Sequence, residues 1–279
     1  MQDKFSVNDL PLYNPWVKKL LGLEEFSPKI KNEQELEREY ENEKWGVLLK
    51  KIEESGMACS IENVDSIAFD GNTEIFSFYK GEFIKSTYGE LHKKYIDIVY
   101  ATVSPYLPAP AIVELGSGYG SIILNLAKYL DKDQLLIAAE FAASGVKIIR
   151  KIADFENFNL KAGSCNFYDL NIGDLNIPEG SVIFTSFATT CVPELPNSFL
   201  DALLATNPKL VIHFEPLYEH CGDDLFGLLR KKYIMVNDYN KNLLTLVENH
   251  PNISITEHIL PIIGSNPLLC VSILHWKRK

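Results

Sequence analysis

The sequence predicts an α/β fold: a doubly wound, mostly parallel sheet of seven strands with a C-terminal antiparallel hairpin and an N-terminal helical appendage. Three observations predict it. First, the short apolar run Ala111-Ile-Val113 leads through Gly116, Gly118 and Gly120 into Ser121–Leu130, where Ile122, Ile123, Leu126, Ala127 and Leu130 recur at helical spacing. Second, apolar strand-like runs and helix-period segments alternate from there onward, the pattern of parallel strands joined by crossover helices. Third, the last two strand-like runs, 252–260 and 268–276, have no helix-length gap between them, which makes them an antiparallel pair.

The elements follow in order. Residues 1–30 are punctuated by Pro11, Pro15 and Pro28 and hold one short apolar piece, Trp16–Leu21. Residues 31–55 are highly charged, but Leu36, Tyr40, Val47, Leu48 and Ile52 mark one helical face, so the stretch reads as an exposed helix ended by Ser55-Gly56. Residues 60–85 are a link of mixed character, with a turn at Phe69-Asp-Gly-Asn-Thr and four aromatics between Phe76 and Phe83. Those aromatics read as core contact, with a lid over an acceptor pocket as the sharper alternative. A helix over 87–103 carries Leu91, Tyr95, Ile98 and Val99 on one face, and Pro105, Pro108 and Pro110 end it. The domain boundary is placed near residue 90, giving a cap over 1–90 and a main domain over 91–279. Beyond the glycine unit, strands are expected at 134–139 (ending at Glu140), 158–162, 181–186 and 209–215. Helices are expected at 144–154, 199–204 and 225–248.

Glycines after a strand let the backbone turn sharply and let a ligand approach the main chain. The helix behind them offers free N–H groups to a carboxylate or phosphate. The dinucleotide fingerprint is G-x-G-x-x-G/A. Here the spacing is G-x-G-x-G, Ser121 stands where the third Gly or Ala belongs, and Glu114 precedes the first glycine by two places. This E-x-G-x-G-x-G pattern resembles motif I of the class I S-adenosylmethionine (SAM) methyltransferases. The resemblance covers 91–279 and implies the sheet described above. It also implies SAM as cofactor, with S-adenosylhomocysteine (SAH) as product. The glycine turn would lie against the methionine part of SAM, with Glu114 helping to hold its amino group.

Further site candidates follow from the strand ends. Glu140 closes the second strand, where a carboxylate can accept from both ribose hydroxyls, and the resemblance assigns it that role. After the third strand the resemblance expects an adenine-binding residue. Asn166 takes that place, with Phe167 beside the ring and Asp169 as rival. Ser186 ends the fourth strand and, with Phe187, would sit near the sulfonium. The fifth strand gives His213 and Glu215 on one face, followed by Glu219 and His220. Glu215, Glu219 and His220 are the catalytic candidates, because carboxylates and imidazole can orient a nucleophile or take its proton. His213 is equally readable as a hydrogen-bonded core histidine. His92, His250, His258 and His275 stand in no motif.

Composition limits the partners. The 279 residues carry a net charge of −10, which disfavours generic binding to nucleic acid or anionic membranes. Five scattered cysteines form no C-x-x-C pair, so neither a disulfide framework nor a zinc site is signalled; no metal ligand is assigned, and a facial triad from the Glu215, Glu219 and His220 group is only weakly signalled. No signal-like apolar core or long apolar run is present, so a cytoplasmic location is expected. No Asn-Pro-Pro-Tyr signature or double-glutamate hairpin is present, so base and protein-arginine acceptors lose support. The expectation is methylation of N or O on a small polar metabolite, in a biosynthetic or natural-product setting. The alternatives are a non-catalytic SAM-fold partner protein and, third, an NAD-dependent oxidoreductase.

Overall fold

The computed structural model describes residues 5–168, 172 and 175–279. Helices α1 (Leu10–Tyr13), α2 (Trp16–Leu20) and α3 (Glu33–Leu36) open the chain. Asn32 caps α3 by accepting from Glu35 N–H at 2.9 Å. The backbone then widens into a π-helical stretch, Glu37–Trp45, before α4 (Gly46–Ser55). The wide turn closes on Gly46, where a Cβ would meet the Glu41 carbonyl oxygen. α4 ends at Gly56 in the left-handed region, as its sequence predicts. α5 (Ile61–Ala68) follows, capped by Ser60.

Next come strands β1 (Glu74–Tyr79) and β2 (Glu82–Thr87), then α6 (Tyr88–Val103). A reciprocal Thr87–Glu90 capping box fixes where α6 begins, a device worth about 1 kcal/mol. The alternating region comprises β3 (Ile112–Leu115), α7 (Ser121–Ala127), β4 (Leu136–Glu140), α8 (Ala143–Glu156), β5 (Leu160–Ser164), β6 (Val182–Ser186), α9 (Ser198–Ala205) and β7 (Leu210–Glu215). The chain closes with α10 (Leu225–Val236), α11 (Leu243–Asn249), β8 (Ile253–Gly264) and β9 (Val271–Arg278).

The nine strands among the described residues join one sheet in the order β2-β1-β8-β9-β7-β6-β3-β4-β5. β5, β4, β3, β6 and β7 pair in parallel, and β9 runs antiparallel between β7 and β8. The central strands are apolar on both faces because helices cover both. Ile112 packs into the core on one face, and Val113 and Leu115 into the core on the other. Each such side chain contributes roughly 1.5–3 kcal/mol by leaving water.

The five parallel strands and the closing antiparallel pair lie where the sequence places them. Three features go beyond that reading. The mixed link at 60–85 holds a helix and a hairpin, and the hairpin lengthens the predicted seven strands to nine. Its turn is Lys80-Gly81, both at positive φ (49° and 91°), the two-residue geometry that matches strand twist. β1 pairs with β8, so the β8–β9 pair does not lie at the sheet edge. The expected helix at 225–248 is broken between α10 and α11, where Asp238 takes φ 52°.

Candidate active site

The connections reverse direction between β3 and β6, and a crevice opens there beyond the strands' C-terminal ends. It holds a cavity of about 360 Å³. One end is built by the glycine turn. Ser117 N–H and Gly116 N–H donate to Ala139 O at 2.8 and 2.7 Å, tying the turn to β4. Gly116 and Gly118 adopt φ of 74° and 58°, a region that L side chains rarely enter. A Cβ on Gly116 would also strike the Ala188 side chain.

Glu140 accepts from Gly118 N–H at 2.8 Å and Ala142 N–H at 3.1 Å. Burial pushes its carboxyl up to about 7, although these two N–H groups act the other way. Glu114 is fully buried beneath the turn and accepts from Ile123 N–H at 3.1 Å. Burial likewise raises its pKa well above the usual range, and the nearby Glu140 and Glu215 add to this. Phe167, Asn166 and Ser186 also line the cavity. Gly120 does not. It sits behind the turn, where a Cβ would meet Leu124 at 2.6 Å and Ile149 at 2.9 Å, so its role is helix packing. Asp169 lies outside the described residues.

The 33–45 segment is strapped across the cavity mouth. Glu33 accepts from Asn166 Nδ2 at 2.6 Å. Tyr40 Oη lies 3.0 Å from Cys191 Sγ. Glu41 accepts from Ser144 N–H and Oγ at 2.9 and 3.0 Å, at the start of α8. The Trp45 ring covers Gly118, so closely that a Cβ there would approach it to 3.0 Å. Trp45 Nε1–H is directed at the Glu140 carboxyl and helps to lower its pKa, and Tyr168 O–H is a buried cavity-wall donor without a hydrogen-bond partner. None of the strap was assigned to the site by motif; its helical face at Leu36 and Tyr40 was the available signal.

The other end of the cavity is aromatic: Phe69, Tyr88, His92, Tyr95 and Phe187. Tyr95 Oη is 2.7 Å from Ser186 Oγ. Phe187 is held at φ 52°, an uncommon conformation for a bulky residue and one that clusters at functional sites.

The three catalytic candidates are not brought to this cavity. Glu215 ends β7 as expected, but its carboxylate is buried under the loop that follows β6. It accepts from the N–H groups of Ala188, Thr189 and Thr190 at 2.9, 3.1 and 3.2 Å and from Thr190 Oγ1 at 2.7 Å. It therefore holds the cavity-lining loop in place and does not itself line the cavity. Glu219 accepts from Thr245 N–H and Oγ1 at 3.0 and 3.1 Å, at the start of α11. His220 packs against His258, with ring centres 5.5 Å apart. Its pKa falls to about 4 through burial, with His258 and Arg230 adding to the effect. His213 is a core residue. Its Nε2 accepts from Trp276 Nε1–H at 2.9 Å, which leaves Nδ1–H facing Thr185 Oγ1 at 2.9 Å. Among the described residues, no group of three His, Cys, Asp or Glu could hold a metal ion, and no helix is long and apolar enough to cross a membrane.

The strand order is the one that the class I methyltransferase resemblance implies. No protein-family model and no curated protein matches the chain. Among solved structures, an O-methyltransferase from Bacillus cereus in complex with SAH is similar at 13% identity, over 88% of this chain and 96% of that one, with a TM-score of 0.49. A magnesium protoporphyrin IX methyltransferase from Synechocystis with bound SAH is similar at 15% identity, over 67% and 84%, with a TM-score of 0.47. An O-methyltransferase of tomaymycin synthesis from Streptomyces achromogenes, in complex with SAM, is similar at 13% identity, over 67% and 80%, with a TM-score of 0.47. Likenesses at this level bear on neither activity nor acceptor; the fold class rests on the chain's own strand order.

Proposed function

We propose that this chain is a SAM-dependent methyltransferase that methylates an N or O atom of a small molecule in a biosynthetic setting. The observation that carries this reading is the pair of buried carboxyl groups at the glycine end, which a cation there would favour in their ionised form. Glu114 and Glu140 line that end, and Lys44 is the one Lys or Arg among the described residues around the cavity. A cofactor bearing a sulfonium and an ammonium group relieves that arrangement, whereas a dinucleotide would bring pyrophosphate toward both carboxylates. The unpartnered Tyr168 O–H is a donor suited to a cofactor's oxygens and nitrogens.

The residues fit the cofactor as follows. Glu114 and the Gly116–Gly118 backbone would hold the methionine part, Glu140 the ribose hydroxyls, and Asn166 and Phe167 the adenine, with Ser186 near the reacting end. The cofactor supplies a methyl group on positively charged sulfur. The chain's own part is to align the acceptor with that group and to exclude water. Trp45 and Tyr40 shield the glycine end, and the Glu215-braced loop sets the position of Phe187 and Ala188. The expected polarity of the acceptor is withdrawn, because the Glu and His residues behind it lie elsewhere.

Calorimetry of the purified protein with SAM, SAH and NAD tests the reading, followed by transfer of a labelled methyl from SAM into a small-metabolite fraction. SAH binding with transfer is expected. NAD binding without SAH binding refutes the proposal, and SAH binding with no transfer to any fraction identifies a non-catalytic binding protein.

A further inference from the structure

Resting on the methyltransferase reading, we propose that the aromatic end of the cavity takes a flat, uncharged aromatic alcohol, and that His92 Nδ1 is the base that accepts its hydroxyl proton.

The chamber comes first. Tyr88, His92 and Tyr95 stand at i, i+4 and i+7 on α6 and so share one face. Phe69 and Tyr88 flank the His92 ring, with ring centres 5.2 and 6.5 Å away. Tyr95 meets Phe187 edge-on at 6.0 Å. A smaller cavity of about 70 Å³ shares Tyr88, His92, Tyr95 and Phe187 and continues to Gly264 and Ser265 at the end of β8. The space is therefore walled by rings and deepens away from the glycine turn. Aromatic walls favour an aromatic guest through stacked or edge-on contact. Among the described residues, no Lys or Arg lines this end, since Lys44 belongs to the strap. A phosphate or carboxylate on the acceptor would have no counter-charge there.

The hydrogen-bond network then fixes the tautomer of His92. Asp65, on α5, accepts from Tyr119 O–H at 2.8 Å and from Ser121 O–H at 3.1 Å on one oxygen, and from Asn125 Nδ2 at 2.8 Å on the other. Asp65 Oδ1 lies 3.1 Å from the Ser121 hydroxyl and Asp65 Oδ2 lies 3.9 Å from His92 Nε2, so a proton on Nε2 faces acceptors on both sides. Ser121 Oγ is 3.2 Å from Nε2. His92 Nε2 therefore carries the ring's proton, and Nδ1 carries the lone pair. Burial lowers the His92 pKa, with Asp65 opposing, so the ring is neutral near pH 7 and has a nitrogen free to take a proton. Asp65 Oδ2, 3.9 Å from Nε2, stabilises the imidazolium that forms. Tyr88 lies beside the ring on its own helix, and Tyr119 on the glycine turn shares Asp65 with it; burial pushes both phenols upward, so both are neutral.

The step balances. The acceptor oxygen forms a bond to the methyl carbon as the carbon–sulfur bond breaks, and that electron pair returns to sulfur as a neutral thioether. The hydroxyl proton passes to His92 Nδ1 and then to solvent. Asp65 and Ser121 act through His92 and are positioning residues.

The test uses the full chain with 1-naphthol and 1-naphthyl phosphate as probes. With saturating SAM, the wild type should convert 1-naphthol to its methyl ether and leave the phosphate untouched. His92→Gln preserves a donor toward Ser121 but removes the base. It should bind SAH within about twofold of wild type and methylate ~10²–10⁴-fold more slowly, the usual contribution of a general base. If that variant loses SAH binding, His92→Asn is read in its place. Wild type that binds SAH but does not methylate 1-naphthol overturns the acceptor class. A His92 variant that methylates at the wild-type rate overturns the base. Failure to bind SAH at all is a different result, which removes the methyltransferase reading itself.

Discussion

Glu140→Gln separates the electrostatics of the glycine end from its packing. In the folded protein, burial raises the Glu140 carboxyl from 4.5 to about 7. The protonated form is thus preferred in the fold by about 3 kcal/mol. The sign follows from linkage. Between pH 4.5 and 7 the folded state binds more protons at this position than the unfolded state. This contribution is therefore fully present below pH 4.5 and is lost as pH rises through 7. Glutamine resembles the protonated acid, with one donor side and one acceptor oxygen, and does not titrate. Urea denaturation of both proteins at pH 5 and pH 8, without ligand, measures the difference. The variant should gain about 2–3 kcal/mol on wild type between the two pH values. Saturating SAH should shrink that gain, because donors from the ribose would favour the ionised carboxylate. Parallel stability curves would refute the reasoning, since Glu140 would then titrate alike folded and unfolded.

Two further predictions concern the turn and the β7 end. Gly118→Val places a branched side chain at φ 58° against Trp45; SAH binding should fall below detection by calorimetry, while circular dichroism still shows a folded protein. Wild-type SAH affinity in that variant would remove the cofactor from the glycine turn. Glu215→Ala leaves three backbone N–H groups and one hydroxyl without their acceptor, at ~1–3 kcal/mol for each group left buried and unpaired. A loss of at least about 3 kcal/mol in unfolding free energy is expected, whereas Glu219→Ala and His220→Ala should leave SAH affinity and turnover within about twofold. Greatly reduced turnover in either of the latter would restore the acceptor site to that end of the sheet.

The cofactor end was legible because its information is local. Strand, glycines and helix lie within twenty residues, and Glu114 and Glu140 sit at the ends of adjacent strands. The acceptor end was not, because its walls come from four distant places. Phe69, α6, Phe187 and the end of β8 meet only in the fold, and His92 has no motif around it. Glu215 shows why a strand-end position is insufficient. The C-terminal edge of the sheet does face the crevice, but the loop after β6 folds over β7 and satisfies that carboxylate. The β1–β2 hairpin was hidden for another reason. Its aromatics read as core, and its turn, Lys80-Gly81, is weaker punctuation than the Asn-Gly or Asp-Gly that usually marks such a loop.

The strap and the hairpin bear on when the site exists during synthesis. The strap's partners are remote in sequence: Glu33 holds Asn166, 133 residues later, and Tyr40 meets Cys191, 151 residues later. β1 must wait longer still, because Phe78 pairs with Gly264 near the C-terminus. Contacts of such separation form late, after the entropy of closing long loops has been overcome. The strap and the hairpin thus find their places only after the residues that follow them by more than a hundred positions have been made. Until then the mouth of the cavity stands open and β8 presents a bare edge to other strands. A chain in that state would be prone to aggregate through the bare edge and would leave the glycine turn uncovered.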